Sequence, residues 1–432
     1  MIALAAVFAI PAIFVFLNKA LKHKWLLFVP AVLGIYFGTI GNIIQEGSVP
    51  FSLFQVFFLL GLLLFVLKSI YSHDFIWQRT NLEMEFLLFF GLVFFSLLYS
   101  PNYDDGLFYA IRSLLQIIFL FLLFNTLKEL NHVKIVIIMI ILSALILSLL
   151  SLYEYYQNPL ANIISIKMGG VKERSIGTEN DPNVFATFFY LPIAITAAYF
   201  FETKNMKHKI AAFALMSIFL VGIILTFSRT AFVVVIVMFF YFTIRHKDFK
   251  LIGVIIIAVL VLALFNENIR LTIVNVINRF LLIFDSNEDS TGTRFVLFEG
   301  AMNMLFNSWF FGVGFRGFPI YFVQDYGVQQ TIGVYEPHNL FYTVLSELGI
   351  VGFVVYISIF FKLFIRARAC ISFAESFDER VLSSGIFISF VGLILFHNSY
   401  GGGFTDNRLW MQVALILILH RYFLAKKKVV VN

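Results

Sequence analysis

The chain has 432 residues, 60% of them hydrophobic and only 13% charged, with a mean hydropathy of +0.92. A soluble domain carries about a quarter charged residues, so a soluble globular fold is excluded and the composition specifies an all-α polytopic membrane protein. Basic residues exceed acidic ones by 31 to 25, and the single cysteine, Cys370, excludes an intrachain disulfide and a thiolate metal cluster.

Apolar runs of roughly 17–24 residues predict about thirteen transmembrane helices. They lie near 1–18, 25–44, 51–70, 85–100, 108–127, 133–153, 183–201, 209–226, 229–244, 251–267, 338–361, 381–397 and 407–424. The first run lacks a basic leader and a small-residue cleavage site, so a retained span is expected rather than a signal peptide. The runs divide the chain into N-terminal helices (1–153), central helices with a first external loop (154–267), a long loop (268–337) and C-terminal helices (338–432).

Numbering the connections alternately puts Lys19, Lys22, Lys24, Lys68, Arg79, Lys128, Lys134, Lys204, Lys207, Lys209, Arg245, Lys247, Lys250, Lys362, Arg366, Arg368 and Arg380 on one side. The tail residues Arg421, Lys426, Lys427 and Lys428 join them. By the positive-inside rule that side, with the C-terminus, is the cytoplasm. The basic excess is thus explained by topology, and no nucleic-acid partner is expected. The opposite face has two sizeable loops, 154–182 and 268–337, and the short Gly401-Gly-Gly403 connection. Basic residues are scarce there: Lys167, Lys172, Arg174, Arg229, Arg270, Arg279, Arg294, Arg316 and Arg408, with Arg112 near an outer helix end. Their presence favours an anionic group handled on that face.

Four segments reach this face. Arg174-Ser-Ile-Gly177-Thr-Glu-Asn-Asp-Pro-Asn183 leads into the seventh span, with Asp181-Pro182-Asn183 reading as a helix start. Thr226-Phe-Ser228-Arg229-Thr230 is a tight hinge whose arginine either snorkels or grips an anion. In the long loop, 269–284 is expected to form an interfacial helix, 285–292 a polar break, and 293–309 a second amphipathic stretch carrying Arg294 and Glu299. Gly312-Val-Gly314-Phe-Arg316-Gly317-Phe318 matches G-x-G-x-x-G without a βαβ context, so it predicts a flexible turn and no dinucleotide site.

His338-Asn339 then opens a span and is followed, after nine intervening residues, by Gly349-Ile-Val-Gly352. On a continuous helix His338, Tyr342, Leu345, Gly349 and Gly352 share one stripe, along which the glycines admit a neighbouring helix. Imidazole at a bilayer boundary suits proton transfer. Glu347 falls on the opposite side, where it is expected to bond a neighbouring helix or line a water pocket. Arg112 and Gln116 form an i, i+4 pair, and His397-Asn398 reads as a loop feature without the spaced glycines.

Arginines offer charge-assisted hydrogen bonds to a diphosphate, and a histidine can take or give a proton. Glu179, Asp181, Asp289, Glu299 and Glu336 show no metal-site spacing. The residues alone specify a membrane enzyme or transporter for a phosphorylated, lipid-soluble substrate.

The four segments, in this order, resemble the bacterial O-antigen ligase and O-antigen polymerase superfamily. The likeness rests on H-N-x9-G-x-x-G from His338 to Gly352, the Gly312–Phe315 turn, Ser228-Arg229, Thr293-Arg294, and Asn180–Asn183 with Arg174 upstream. The resemblance implies a GT-C-like, metal-independent inverting glycosyltransferase of the bacterial inner membrane, with no cofactor. It would move a glycan from undecaprenyl diphosphate to an acceptor hydroxyl on the extracytoplasmic face. By this likeness Arg229, Arg294 and His338 are the catalytic residues, the arginines gripping the diphosphate and the histidine acting as base or phosphate ligand. The likeness also implies substrate-binding roles for Arg174, Asn183, Arg316, Asn339 and Tyr342, with Arg174 and Arg316 expected to hold glycan or a second phosphate. A repeat-unit polymerase shares this donor chemistry, and a lipid-linked oligosaccharide flippase is the alternative of another class. The missing internal repeat and the one-sided placement of the polar residues speak against the flippase.

Overall fold

The computed structural model describes residues 18–20, 22–37, 52–73, 77–157, 175, 177–179, 181–249, 253, 274, 289–326 and 337–431. Among these, the helices are α1 (Val29–Tyr36, entered through a 3-10 turn), α2 (Leu53–Ser72), α3 (Glu83–Ser96), α4 (Tyr103–Thr126) and α5 (Leu130–Gln157). There follow α6 (Pro182–Glu202, with a 3-10 turn at Thr187–Phe189), α7 (Met206–Thr226), α8 (Arg229–His246), α9 (Asp289–Asn307) and α10 (Phe318–Tyr326). The last three are α11 (Leu340–Phe373), α12 (Phe377–Tyr400) and α13 (Asn407–Val431). Nine of the described helices are long and apolar enough to cross a membrane, which makes the chain an all-α polytopic membrane protein. Of the thirteen expected spans, those at 1–18 and 251–267 lie almost wholly outside the described residues. The second has its described helix end at Tyr36, and the fourth is the 14-residue α3.

The helices begin where the chain supplies a capping acceptor. Ser52 with Gln55, and Ser376 with Glu379, make reciprocal capping boxes, while Asp181, Asn205, Ser228 and Asn339 each accept from a backbone N–H of the first turn. In an apolar surround each such N–H would otherwise be lost as a hydrogen bond, at a cost of several kcal/mol. α6, α12 and α13 are the most enclosed of the apolar helices. Basic side chains gather at one end of the bundle. There Arg380 donates to Glu202 (2.7 Å), Arg421 to Gln78 (2.7 Å), Arg366 to the Thr80 carbonyl (2.7 Å) and Lys426 to Glu379 (3.0 Å), and Lys134 pairs with Asp378.

α11 is not continuous. Gly349 has φ 67° and ψ −169°, which breaks the helix into an outer arm (340–348) and a long arm (350–373). In an unbroken helix the Ile350 N–H would bond the Ser346 carbonyl. Instead Ile350 N–H donates to the Phe310 carbonyl (3.0 Å), and the Ser346 carbonyl accepts from Val313 N–H (2.8 Å). Gly314 N–H takes the Glu347 carbonyl (2.9 Å). The 310–314 chain thus restores the bonds that the break removes. Serine hydroxyls hold its far side: Ser96 accepts from Phe315 N–H (3.0 Å), and Ser100 donates to the Phe315 carbonyl (2.8 Å).

Two expectations are corrected here. Gly312–Gly317 is not a flexible turn but a buried one, docked on α3, α4 and α11. Nor do the glycines of Gly349-x-x-Gly352 carry a helix-packing stripe. A Cβ on Gly349 would meet the Phe310 and Phe311 backbone, and one on Gly352 would meet Leu348 of the same helix. Spacing alone does not distinguish a packing glycine from a helix-breaking one.

The break fixes where the outer arm points. The long arm and α12 pack against each other, are joined by a short connection, and have equal length, 24 residues. Were the outer arm collinear, His338 would stand roughly 15 Å beyond the end of α12. It hydrogen-bonds Tyr400, the last residue of α12, instead, so the arm lies across the bundle end. A second, smaller apolar cluster of Leu297, Ala301, Met304, Val313, Phe318 and Phe322, with Tyr342 against it, seats α9 and α10 over the arm. Glu347, at 1% exposure, is enclosed in this layer.

Gly312→Ala tests the docked turn. Its Cβ would lie 2.5 Å from Gly349 N at a φ of +83°, a strain of about 1–3 kcal/mol. The variant should melt several degrees below wild type, whereas Gly91→Ala, with nothing within 4 Å, should not move. Equal melting of all three proteins would refute the docking.

Candidate active site

The outer arm begins with Asn339 as N-cap. Its Oδ1 accepts from Phe341 N–H (2.9 Å) and Tyr342 N–H (3.1 Å), while its Nδ2 donates to the Asn398 carbonyl (2.7 Å). The cap therefore also ties the arm to the end of α12. His338 precedes it at φ 51°, outside the helix, half-buried, with Nδ1 2.9 Å from the Tyr400 carbonyl. A carbonyl only accepts, so Nδ1 carries a proton. In the neutral ring Nε2 then presents its lone pair.

Arg229 reaches the same place from another helix. α7 ends with Phe227 in the left-handed region, and Ser228 caps α8 by accepting from Ala231 N–H (3.3 Å). This is the expected hinge. It places half-buried Arg229 beside Thr230, whose hydroxyl accepts from Ser399 (3.3 Å). The Arg229 turn and His338 thus converge on the consecutive residues Ser399 and Tyr400.

Arg294 is exposed on α9, one turn before Phe298, whose ring lies 4.9 Å from that of Tyr342. Tyr342 in turn stands one turn after His338. Arg316 is farther along the docked turn, its guanidinium carbon 4.2 Å from the Tyr109 ring centre on α4. Asn183 lies in the first turn of α6, its N–H donating to Asp181 (2.6 Å), as the Asp-Pro-Asn reading predicts. Arg174, the interfacial helix at 269–284 (Val274 apart) and Glu336 lie outside the described residues.

Beneath this surface is a buried ionic group that the sequence does not announce. His397 is not a loop residue but lies in the last turn of α12, 2% exposed. Its Nε2 is 2.9 Å from Asp406 Oδ2, and its Nδ1 is 2.7 Å from the Gly401 carbonyl. Arg408 donates through Nε to Asp406 Oδ1 (2.7 Å) and through Nη1 to the Val184 carbonyl (2.9 Å), with its guanidinium over Phe188. Burial would raise the Asp406 carboxyl, but Arg408, and after it His397, hold it well below the usual carboxylate range. Half-buried Glu179 is shifted the other way: burial raises it, with Arg408 and Arg112 opposing and Asp406 and Asp181 adding.

The loop that carries Asp406 folds inward because Phe404 is an anchor. Its ring centre lies 5.6 Å from that of Phe89 and 5.7 Å from those of Phe315 and Tyr356. Gln116 donates to the Thr405 carbonyl (2.5 Å) and to Asn407 (2.9 Å), so the expected Arg112–Gln116 pair is divided between two tasks. One signal was available in the sequence. Arg408 opens a span on the face where basic residues are scarce, two residues after an acid. Among the described residues, no group of three or more His, Cys, Asp or Glu side chains stands together as a metal centre.

Residues 211–357 match the family model described as O-antigen ligase. Over that segment, about a third of the chain, it is similar to the O-antigen ligase family. The ligase segment runs from α7 into the long arm of α11 and contains Arg229, Arg294, Arg316, His338, Asn339 and Tyr342. His397, Asp406 and Arg408, which lie under the site, fall beyond it. No curated protein matches the chain.

Asp406→Asn removes the counter-charge of an enclosed guanidinium, a loss of about 3–5 kcal/mol. A clear drop in melting temperature is expected, with part of it recovered when Arg408→Gln is added. Wild-type melting of the single variant would show that the group does not hold the loop.

Proposed function

We propose that the chain is an O-antigen ligase-like glycosyltransferase of the bacterial inner membrane. It transfers a glycan from undecaprenyl diphosphate to an acceptor hydroxyl on the extracytoplasmic face. The observation that carries this reading is that the Arg229 turn and His338, both inside the matched segment, converge on Ser399 and Tyr400 at the end of α12. The concentration of lysine and arginine at the other end of the bundle supports the orientation, with the C-terminus in the cytoplasm.

In this reading Nε2 of His338 removes the acceptor hydroxyl proton. The freed oxygen attacks the anomeric carbon as the bond to the diphosphate breaks, giving inversion. Undecaprenyl diphosphate leaves with the bonding pair, and Arg229 and Arg294 neutralise the charge it gains. The proton passes to the imidazole, a contribution of about 10²–10⁴-fold. The Nδ1–H bond to the Tyr400 carbonyl supports the role by holding the required tautomer. Asn183, Asn339 and Tyr342 are assigned to substrate contact, and Arg174 and Arg316 to the glycan or a second phosphate.

Arg229→Ala, Arg294→Ala and His338→Ala should each abolish transfer from a lipid-linked repeat unit in proteoliposomes while leaving membrane levels near wild type. Full activity in any two of them would defeat the assignment. EDTA should leave wild-type transfer intact. A ladder of products without added acceptor would identify a polymerase, whereas one product on an added acceptor identifies a ligase.

A further inference from the structure

Arg316, a substrate contact in the reading above, has beside its turn a second arginine, Arg112, to which that reading gives no role. The Arg316 guanidinium lies over the Tyr109 ring of α4, and Arg112 is on the same helix, one turn further along. Both are half-buried. The turn that presents Arg316 is held rigidly, since the Arg316 carbonyl accepts from Asn102 Nδ2 (3.2 Å) and the residue sits at φ 62°. Its Nε is buried and has no hydrogen-bond partner. Among the described residues neither guanidinium has a carboxylate within ion-pair distance. The acid that acts electrostatically on Arg112 is Glu179, which is shared with Arg408. Asp105, at the start of the same helix, takes a hydrogen bond from Asn102 (3.4 Å) and pairs with neither arginine among the described residues.

Stacking on an aromatic face fixes the plane of a guanidinium and leaves its N–H edge for a ligand. A buried donor without a partner is costly unless something satisfies it. Two such cations, one over Tyr109 and the other one helical turn along α4 from it, match a doubly charged phosphate better than a neutral sugar. Arg229 and His338 attach to α8 and α11, whereas this pair is fixed to α4 and the docked turn. A transfer between two large substrates needs a separate hold on each.

We infer that Arg112 and Arg316 form a second anion subsite, which binds a phosphate group of the acceptor while Arg229 and Arg294 hold the donor. This rests on the glycosyl-transfer reading above, and the measurement below separates the two. The subsite makes the acceptor a phosphorylated molecule, and Glu179 is the residue that balances Arg112 when the subsite is empty.

The test counts binding sites for farnesyl diphosphate, used as the probe, by titration calorimetry on the full chain in zwitterionic nanodiscs. Wild type should take two molecules per chain. The double variant Arg112→Gln/Arg316→Gln should take one, Arg229→Ala/Arg294→Ala one, and the fourfold variant none. Two sites remaining in Arg112→Gln/Arg316→Gln, or a single site in wild type, would overturn the inference. If Arg229→Ala/Arg294→Ala keeps two while the other pair drops to one, the donor assignment fails and the second subsite stands. Arg112 holds no part of the turn in place. Should Arg316→Gln not fold, Arg112→Gln alone decides the matter: at least tenfold weaker binding at one of two sites supports the subsite, and unchanged binding at both overturns it.

Discussion

A helix broken in an apolar surround must find new partners for its backbone, and that requirement organises this end of the molecule. At Gly349 the exposed carbonyls and N–H groups of α11 are met by the backbone of residues 310–314 rather than by water. Close approach is possible only because Gly312 and Gly349 both lack a side chain. From this exchange follow the transverse outer arm, the position of His338 against α12, and the seating of α9 with Arg294. His338 and Arg294 are therefore positioned by main-chain hydrogen bonds made elsewhere in the chain, whereas Arg229 is set by the Ser228 cap.

The second determinant is electrostatic. Asp406 is enclosed between Arg408 and His397 on a loop pressed into the bundle by Phe404. Removing either charge alone leaves its partner uncompensated, which is why such groups act as pins rather than as sources of net stability. The pin reaches α6 through the Val184 carbonyl and α12 through His397. It thereby fixes the relation between the Asp181 helix start and the Ser399–Tyr400 end, to which Thr230 and His338 are bonded.

Much of this is legible in the sequence wherever the determinant is local. Asp181-Pro182, Ser228 and Asn339 announce helix starts because capping depends on one side chain and the next two or three backbone groups. The grouping of lysines and arginines at one end follows from alternation along the chain. The break at Gly349 is not legible, because Gly-x-x-Gly has the same spacing whether it admits a helix or a strand of loop, and the loop that pairs with it lies more than thirty residues away. His397 is hidden for a related reason. Its partner Asp406 is brought to it by an inward fold of the loop, and nothing in the residues 401–406 themselves declares that direction.

The recumbent arm has a further consequence for any substrate tethered by an isoprenoid tail. Such a molecule keeps its phosphates at the depth of the phospholipid phosphates. Lifting it outward exposes methylene groups at about 0.8 kcal/mol each. A histidine on an upright extension of α11 would demand several carbons of extraction before chemistry began. With the arm laid across the bundle end, the proposed reaction would place the imidazole nearer to where such a tail leaves its phosphates, and would demand less withdrawal of the anchor from the leaflet.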